Sequence, residues 1–143
     1  MADVLKKVPV REQAPKVRAT NFEEVCLGYN KEEAMEEANR CLGCKKAKCM
    51  EGCPVSINIP GFVHEVKEGN FEKAYQIIGE SSALPAVCGR VCPQETQCEG
   101  KCIRGLKGEA VSIGNWSVSL LTGRRRMVLS QFRLHRRTDI KLQ

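Results

Sequence analysis

The chain has 143 residues, enough for one domain with short flanking segments. Only 5% of the residues are aromatic, so an aliphatic core would be thin and the nine cysteines must help to hold the fold together. The formal net charge of +6 belongs to the end of the chain. Residues Gly123 to Gln143 include seven Lys and Arg residues and one acidic residue, Asp139. The rest of the chain has 16 basic and 16 acidic side chains. The domain itself is therefore not predicted to bind nucleic acid.

The chain has no apolar run long enough to cross a membrane, and its N-terminus lacks the pattern of a secretory signal. We therefore expect a cytoplasmic protein that does not bind membranes. Thiols stay reduced in the cytoplasm, so the cysteines are expected to be metal ligands rather than disulfides. The odd number of cysteines agrees, because nine thiols cannot all pair.

Residues 1–28 mix charged side chains with two prolines and show no periodicity, so an extended N-terminal arm is predicted there. A helix is predicted to begin after Asn30, which can cap its first turn, to run into Cys41 and to end at Gly43. Ala34, Met35 and Ala38 would form its inner face, and its many acidic residues are interpreted as a solvated face. This helix opens a predicted domain that covers residues 29–114.

Two further helices are predicted between the cysteine-rich segments. The first opens at Ile59-Pro60-Gly61 and stops at Gly69. The second is expected to be capped by Asn70 and carries apolar residues at helical spacing as far as Gly79. No strand is predicted. The expected fold class is all-α, small and rich in loops.

The cysteines form two blocks of four with mixed spacings. The first is Cys41-x2-Cys44-x4-Cys49-x3-Cys53-Pro54, and the second is Cys88-x3-Cys92-Pro93-x4-Cys98-x3-Cys102. Closely spaced cysteines on a loop can deliver three thiolates to an iron–sulfur cluster, and a following cysteine before a proline can reach a second cluster. The two blocks could therefore exchange ligands. Lys45, Lys46 and Lys48 would offset the negative charge of a thiolate-bound cluster.

Zinc is the main alternative to iron–sulfur clusters. Structural zinc sites combine short Cys-x2–4-Cys pairs and do not usually end in Cys-Pro, so the spacing here favours clusters. A disulfide framework is a more distant alternative. Cys26 stands outside both blocks beside Glu23 and Glu24, which disfavour a reactive thiolate. The sequence has no glycine-rich phosphate loop and no nucleophile–base set, so it indicates electron transfer rather than bond chemistry.

The two cysteine-rich stretches resemble a known family of iron–sulfur domains. They read RCLGCKKAKCMEGCPVSINIPGFVHEVKEGNFEKAYQII over residues 40–78 and LPAVCGRVCPQETQCEGKCIRGLKGEAVSIG over residues 84–114. They resemble the N-terminal iron–sulfur domain of the small (β) subunit of NADPH-dependent glutamate synthase, which is shared with dihydropyrimidine dehydrogenase.

The resemblance implies an α-helical ferredoxin-like domain with two 4Fe-4S clusters. Its pattern joins Cys102 to Cys41, Cys44 and Cys49 at one cluster. The other cluster takes Cys53, Cys92 and Cys98, with a Gln or Glu as its fourth ligand at the position of Ser117, and the cysteine that matches Cys88 is not a ligand. In the family this domain relays electrons from NADPH and FAD to a large FMN-containing subunit that makes glutamate.

The sequence departs from the family pattern after Gly114. The family continuation leads into FAD and NADPH domains, which we do not expect in this chain, so it should be inactive alone and should need a flavoprotein reductase or the large FMN subunit as a partner. Position 117 is serine, which places the second cluster in question. We expect the basic tail, residues 115–143, to be disordered or a frameshift product. Residues Gly114 to Val128 can be encoded by a nucleotide sequence that also has a second reading. When that sequence is read from its third letter, it translates as KLERFVADWAEENG, which resembles the family continuation.

Two rival functions remain open at this point. One is a related oxidoreductase subunit of the ferredoxin:NADP or dihydropyrimidine dehydrogenase type, which the cysteine blocks alone do not distinguish. The other is a metal-stapled interaction module without redox activity.

Overall fold

The computed structural model describes residues 5–116. In chain order its elements are β1 (Arg11–Glu12), α1 (Pro15–Arg18), β2 (Cys26–Gly28), α2 (Lys31–Asn39), α3 (Lys48–Glu51), α4 (Ile59–Lys67), α5 (Phe71–Ser81), α6 (Pro85–Val91) and a 3-10 turn (Ile103–Leu106). Residues 113–116 are also helical. The predicted tail and Ser117 lie outside the described residues, apart from Asn115 and Trp116.

The fold is mostly helical and rich in loops, as predicted, but it also contains a small sheet that was not predicted. β1 and β2 pair antiparallel, with Arg11 opposite Gly28 and Glu12 opposite Cys26. The segment predicted as an extended arm therefore holds two short strands and the single-turn helix α1. Strands of two and three residues are too short to show alternation in a sequence, so pairing with a partner defines them.

The helices begin where capping residues allow. Asn30 accepts a hydrogen bond from the Glu33 N–H at 2.8 Å, and the Glu33 carboxylate accepts one from the Asn30 N–H at 2.7 Å, which is a complete capping box. Asn58 caps α4 by accepting from the Gly61 N–H at 3.1 Å, with Pro60 in the first turn. The prediction that Asn70 caps α5 is wrong, because its side chain donates to Glu65 instead.

The core forms where α4 packs against both α2 and α5. Trp116 is fully buried at its centre, with its ring edge-on to Phe62 at 6.0 Å between centroids and its indole N–H donating to the Ala34 carbonyl at 3.2 Å. The packed domain thus includes two residues beyond Gly114. Within residues 5–116 no helix has the length and apolar character needed to span a bilayer.

Candidate iron–sulfur site

Four cysteines from the two sequence blocks line one cavity. Cys41, Cys44, Cys49 and Cys102 line a small cavity that is open to solvent, and all four are partly buried. The rest of the lining is largely apolar and includes Ile59, Pro60, Val63, Val111 and Ile113. The structure therefore brings together the four residues that the family resemblance assigns to the first cluster.

The local backbone explains how three of these thiols converge. Cys41 continues the last turn of α2, with its N–H donating to the Ala38 carbonyl at 3.0 Å. Gly43 has a φ of +59°, a left-handed conformation that glycine adopts without strain, so the chain can reverse between Cys41 and Cys44. Cys49 lies in the short helix α3. A tight turn followed by one helical turn thus presents three thiols to one space.

The thiols of this group raise one another's pKa values. Burial raises the pKa of Cys49 to about 11, and the neighbouring Cys102 and Cys41 add to the shift. Burial also raises the pKa of Cys41, with further contributions from Cys102 and Cys44. Without a bound cation, thiolates here would be both desolvated and close to other negative charges. A positively charged iron–sulfur core removes that penalty, which suits this donor set to a cluster.

A second group of cysteines lies around the end of α6. Burial raises the pKa of Cys92, and the adjacent thiols of Cys88 and Cys53 raise it further. Burial raises the pKa of Cys98 to about 12, with smaller contributions from Glu99 and Cys53. Cys53 thus adds to the pKa shifts of both Cys92 and Cys98, and Cys88 adds to that of Cys92. Ser117, the position of the fourth family ligand, is outside the described residues.

Zinc and a four-iron cluster require different spacings between thiolates. A tetrahedral zinc ion with Zn–S bonds of about 2.3 Å needs sulfurs roughly 3.8 Å apart. Within residues 5–116, no three or more His, Cys, Asp or Glu side chains converge closely enough to share one metal ion. All nine cysteines are free thiols, including Cys26 in β2. A four-iron cluster spreads its thiolates around a larger body than a single zinc ion does.

A buried ion pair next to the cavity was not predicted from the sequence. Glu37 on α2, interpreted as part of a solvated face, has no exposed surface. Its carboxylate pairs with the buried Arg40 guanidinium and accepts hydrogen bonds from the N–H groups of Val8 at 2.8 Å and Ser112 at 2.9 Å. Glu37 falls on the same side of the helix as Ala34 and Ala38, so a carboxylate there needs buried partners.

This network ties the cavity walls together. Arg40 precedes Cys41 and donates to the Glu109 carbonyl at 2.6 Å, and Arg104, two residues after Cys102, donates to the Arg40 carbonyl at 2.7 Å. The two chain segments that carry Cys41 and Cys102 are therefore fixed to each other by hydrogen bonds.

A second buried carboxylate lies beside the other cysteine group and accepts hydrogen bonds from distant parts of the chain. Glu99 follows Cys98 and accepts from the Lys7 ammonium at 2.6 Å and from the Gly114 N–H at 3.1 Å. It joins the N-terminal segment, the second cysteine block and the last described residues. Sequence spacing gave no sign of these distant partners.

Comparison with known proteins identifies the domain. The model of the family described as dihydropyrimidine dehydrogenase domain II, 4Fe-4S cluster, matches residues 18–123. The chain is 39% identical over 113 residues to the glutamate synthase (NADPH) small chain of Halomonas elongata, covering 79% of this chain and 24% of that protein. It is 40% identical over 81 residues to the NAD-dependent dihydropyrimidine dehydrogenase subunit PreT of Escherichia coli (strain K12), covering 57% of this chain and 20% of that subunit.

A third relative is the glutamate synthase (NADPH) small chain of Azospirillum brasilense, 41% identical over 86 residues, which are 60% of this chain and 18% of that protein. The chain spans a quarter or less of the length of each of these relatives. The family model covers well over half of the chain and both cysteine groups. The chain therefore belongs to the dihydropyrimidine dehydrogenase domain II family of 4Fe-4S domains, and is related to the small chains of glutamate synthase.

Proposed function

We propose that the domain relays single electrons between a flavoprotein donor and an acceptor subunit, through two 4Fe-4S clusters held by its cysteines. The observation that carries this proposal is the cavity lined by Cys41, Cys44, Cys49 and Cys102. Three of these thiols come from one sequence block and one from the other. Such convergence is what a cluster with four cysteine ligands requires.

The first cluster would be bound by those four thiolates. When bound, such a cluster accepts and returns one electron without making or breaking covalent bonds to a substrate. The protein supplies the thiolates, holds the segments that bear them through the Glu37–Arg40 pair, and shields one side with Ile59 and Val63. The open mouth leaves the other side accessible to a redox partner.

The second cluster would be bound by Cys53, Cys92 and Cys98. The family resemblance calls for a Gln or Glu as its fourth ligand, at the position where this chain has Ser117. A serine hydroxyl is a weaker ligand than a carboxylate, so this cluster should be less stable than the first or should lack one iron.

The wider reaction is the transfer of electrons from NADPH and FAD to a large FMN-containing subunit for glutamate synthesis, in the cytoplasm. The relatives named as glutamate synthase small chains support this assignment. The relative named as a dihydropyrimidine dehydrogenase subunit supports the alternative of another NAD(P)H-dependent oxidoreductase subunit. Electron transfer from the reduced domain to each purified acceptor subunit would discriminate between these two assignments.

The experiment that tests the proposal replaces Cys102 with serine. The protein is reconstituted anaerobically with iron and sulfide, and iron, sulfide and helical content are measured. Because ligand binding and folding are coupled in small metal domains, Cys102→Ser should lose about half of the iron and part of the helicity. Cys26→Ser, outside both groups, is the matched control and should keep both.

Two outcomes would overturn the proposal. Full iron content and helicity in Cys102→Ser would show that ligands are not shared between the two blocks. A native protein whose visible absorption is not bleached by dithionite would favour the interaction module without redox activity.

A further inference from the structure

Basic side chains line the first cysteine cavity and the exposed loop that follows Cys44. Lys48, Lys101 and Arg104 line the cavity itself, and Lys45 and Lys46 are exposed in the loop between Cys44 and Lys48. We call these five residues the basic rim. They come from two chain segments that the cavity brings together, so the basic character is a property of the folded surface.

Few acidic groups balance this rim. In residues 40–51 and 101–107 the one acidic residue is Glu51, which pairs with Lys48 at 2.8 Å on the exposed surface. Among residues 5–116, Lys45, Lys46 and Lys101 form no ion pair with any described side chain. Glu95 and Glu99 line an adjacent depression with Lys7, on the other side of Cys102, and Glu99 is paired with Lys7 there. The rim therefore presents positive charge that is available to a partner.

Apolar surface lies within the rim. Leu42 is 54% exposed and Ile103 is 42% exposed, and both also line the cavity. An apolar centre with a charged border is the usual composition of a protein-binding patch. The patch is small, as expected for the brief encounters of electron-transfer proteins rather than for a permanent subunit contact.

We propose that the basic rim is the docking surface for a small acidic one-electron carrier protein. The proposal rests on the electron-transfer function proposed above and names a partner for it. The carrier would be oxidised by one electron and the cluster reduced by one electron, with no bond formed or broken. Attraction between opposite charges would speed the encounter, and Leu42 and Ile103 would supply apolar contact beside the thiolate ligands.

The surface beside the second cysteine group has a different character. Leu84, Val87 and Val91 are exposed there, and Arg90 is paired with Glu24 at 3.0 Å. That surface is apolar and locally neutral, so charge would not attract an acidic carrier to it. A nucleic acid is a weaker candidate for the rim, because residues 42–48 and 101–104 contain no aromatic side chain on which bases could stack.

The test uses the anaerobically reconstituted chain and reduced flavodoxin, a small acidic carrier, in stopped-flow measurements of cluster reduction. Lys46→Glu/Lys101→Glu is compared with Lys16→Glu/Lys67→Glu, which makes the same change in net charge at exposed sites that do not line the cavity. The native rate constant should fall about tenfold or more when salt rises from about 20 to about 300 mM. The rim variant should react about tenfold more slowly at low salt, and the control within about twofold of native.

Dithionite reduction and iron content separate the two proposals. If dithionite fails to reduce the native protein, the electron-transfer function itself is wrong. If dithionite reduces all three proteins but flavodoxin reduces the rim variant as fast as the control, the docking surface is wrong. Tighter binding of a single-stranded oligonucleotide than of flavodoxin, lost in the rim variant, would also overturn the docking proposal in favour of nucleic acid.

Discussion

Replacing Glu37 with glutamine should destabilise the domain by about 4 kcal/mol. The carboxylate is fully buried and serves three donors, the Arg40 guanidinium and the N–H groups of Val8 and Ser112. An amide of the same shape keeps one oxygen, so one backbone N–H would face an amide nitrogen, at a cost of about 1–3 kcal/mol. Arg40, which is 1% exposed, would lose its charged partner, and breaking a buried ion pair costs roughly 3–5 kcal/mol. The two costs overlap, since both arise from the same carboxylate.

The assay is urea unfolding of the iron-loaded protein under anaerobic conditions, followed by far-ultraviolet circular dichroism. With a denaturant slope of about 2 kcal/mol/M, the midpoint should fall by about 2 M. Glu36→Gln is the matched control, because Glu36 is the exposed neighbour on the same helix and its variant should unfold at the native midpoint. A shift below about 0.5 M for Glu37→Gln would refute the reasoning, because it would mean that the network contributes little free energy.

Four further predictions address the second cluster, the electron donor, the core and the tail. Ser117→Glu should raise iron content, whereas about eight stably bound irons per native chain would contradict an incomplete second cluster. NADPH alone should not reduce the clusters, because the sequence has no nucleotide-binding loop, and rapid reduction without a reductase would contradict this. Trp116→Ala should cost about 3–5 kcal/mol in a thermal or urea melt, since the side chain is fully buried, and an unchanged melt would place it outside the core. Nucleotides after codon 114 that do not open a flavoprotein reading frame when shifted would exclude the frameshift hypothesis.

The sequence predicted the elements that depend on local signals. α2, α4 and α5 follow from Asn30, Pro60 and apolar residues at helical spacing. The ends of α4 and α5 lie within two residues of the predicted limits, whereas α2 ends at Asn39, four residues before Gly43. The convergence of Cys102 with Cys41 came from the family resemblance. Spacing alone shows that thiols are close along the chain but not which distant thiol joins them.

The features missed in the sequence depend on contacts between distant residues. The β1–β2 pair is short, and Gln13 and Val25 next to it are joined by a 2.9 Å backbone hydrogen bond that no local pattern predicts. Glu37 and Glu36 are identical residue types one position apart, yet one is buried and the other exposed. Helical periodicity could have indicated which of the two faces inward. It could not have indicated that the N–H groups of Val8 and Ser112 would donate hydrogen bonds to the buried carboxylate of Glu37.

The placement of Cys102 beside Cys41, Cys44 and Cys49 also has a consequence for the time course of biosynthesis. Cys102 follows Cys49 by 53 residues, which takes a ribosome about 3–11 s to add at 5–20 residues per second. During that interval three thiols of the cavity exist without the fourth. The wall that contains Val111 and Ile113 arrives later still. All four thiols are therefore present only near the end of domain synthesis, and iron delivered earlier would meet an open, three-thiol site.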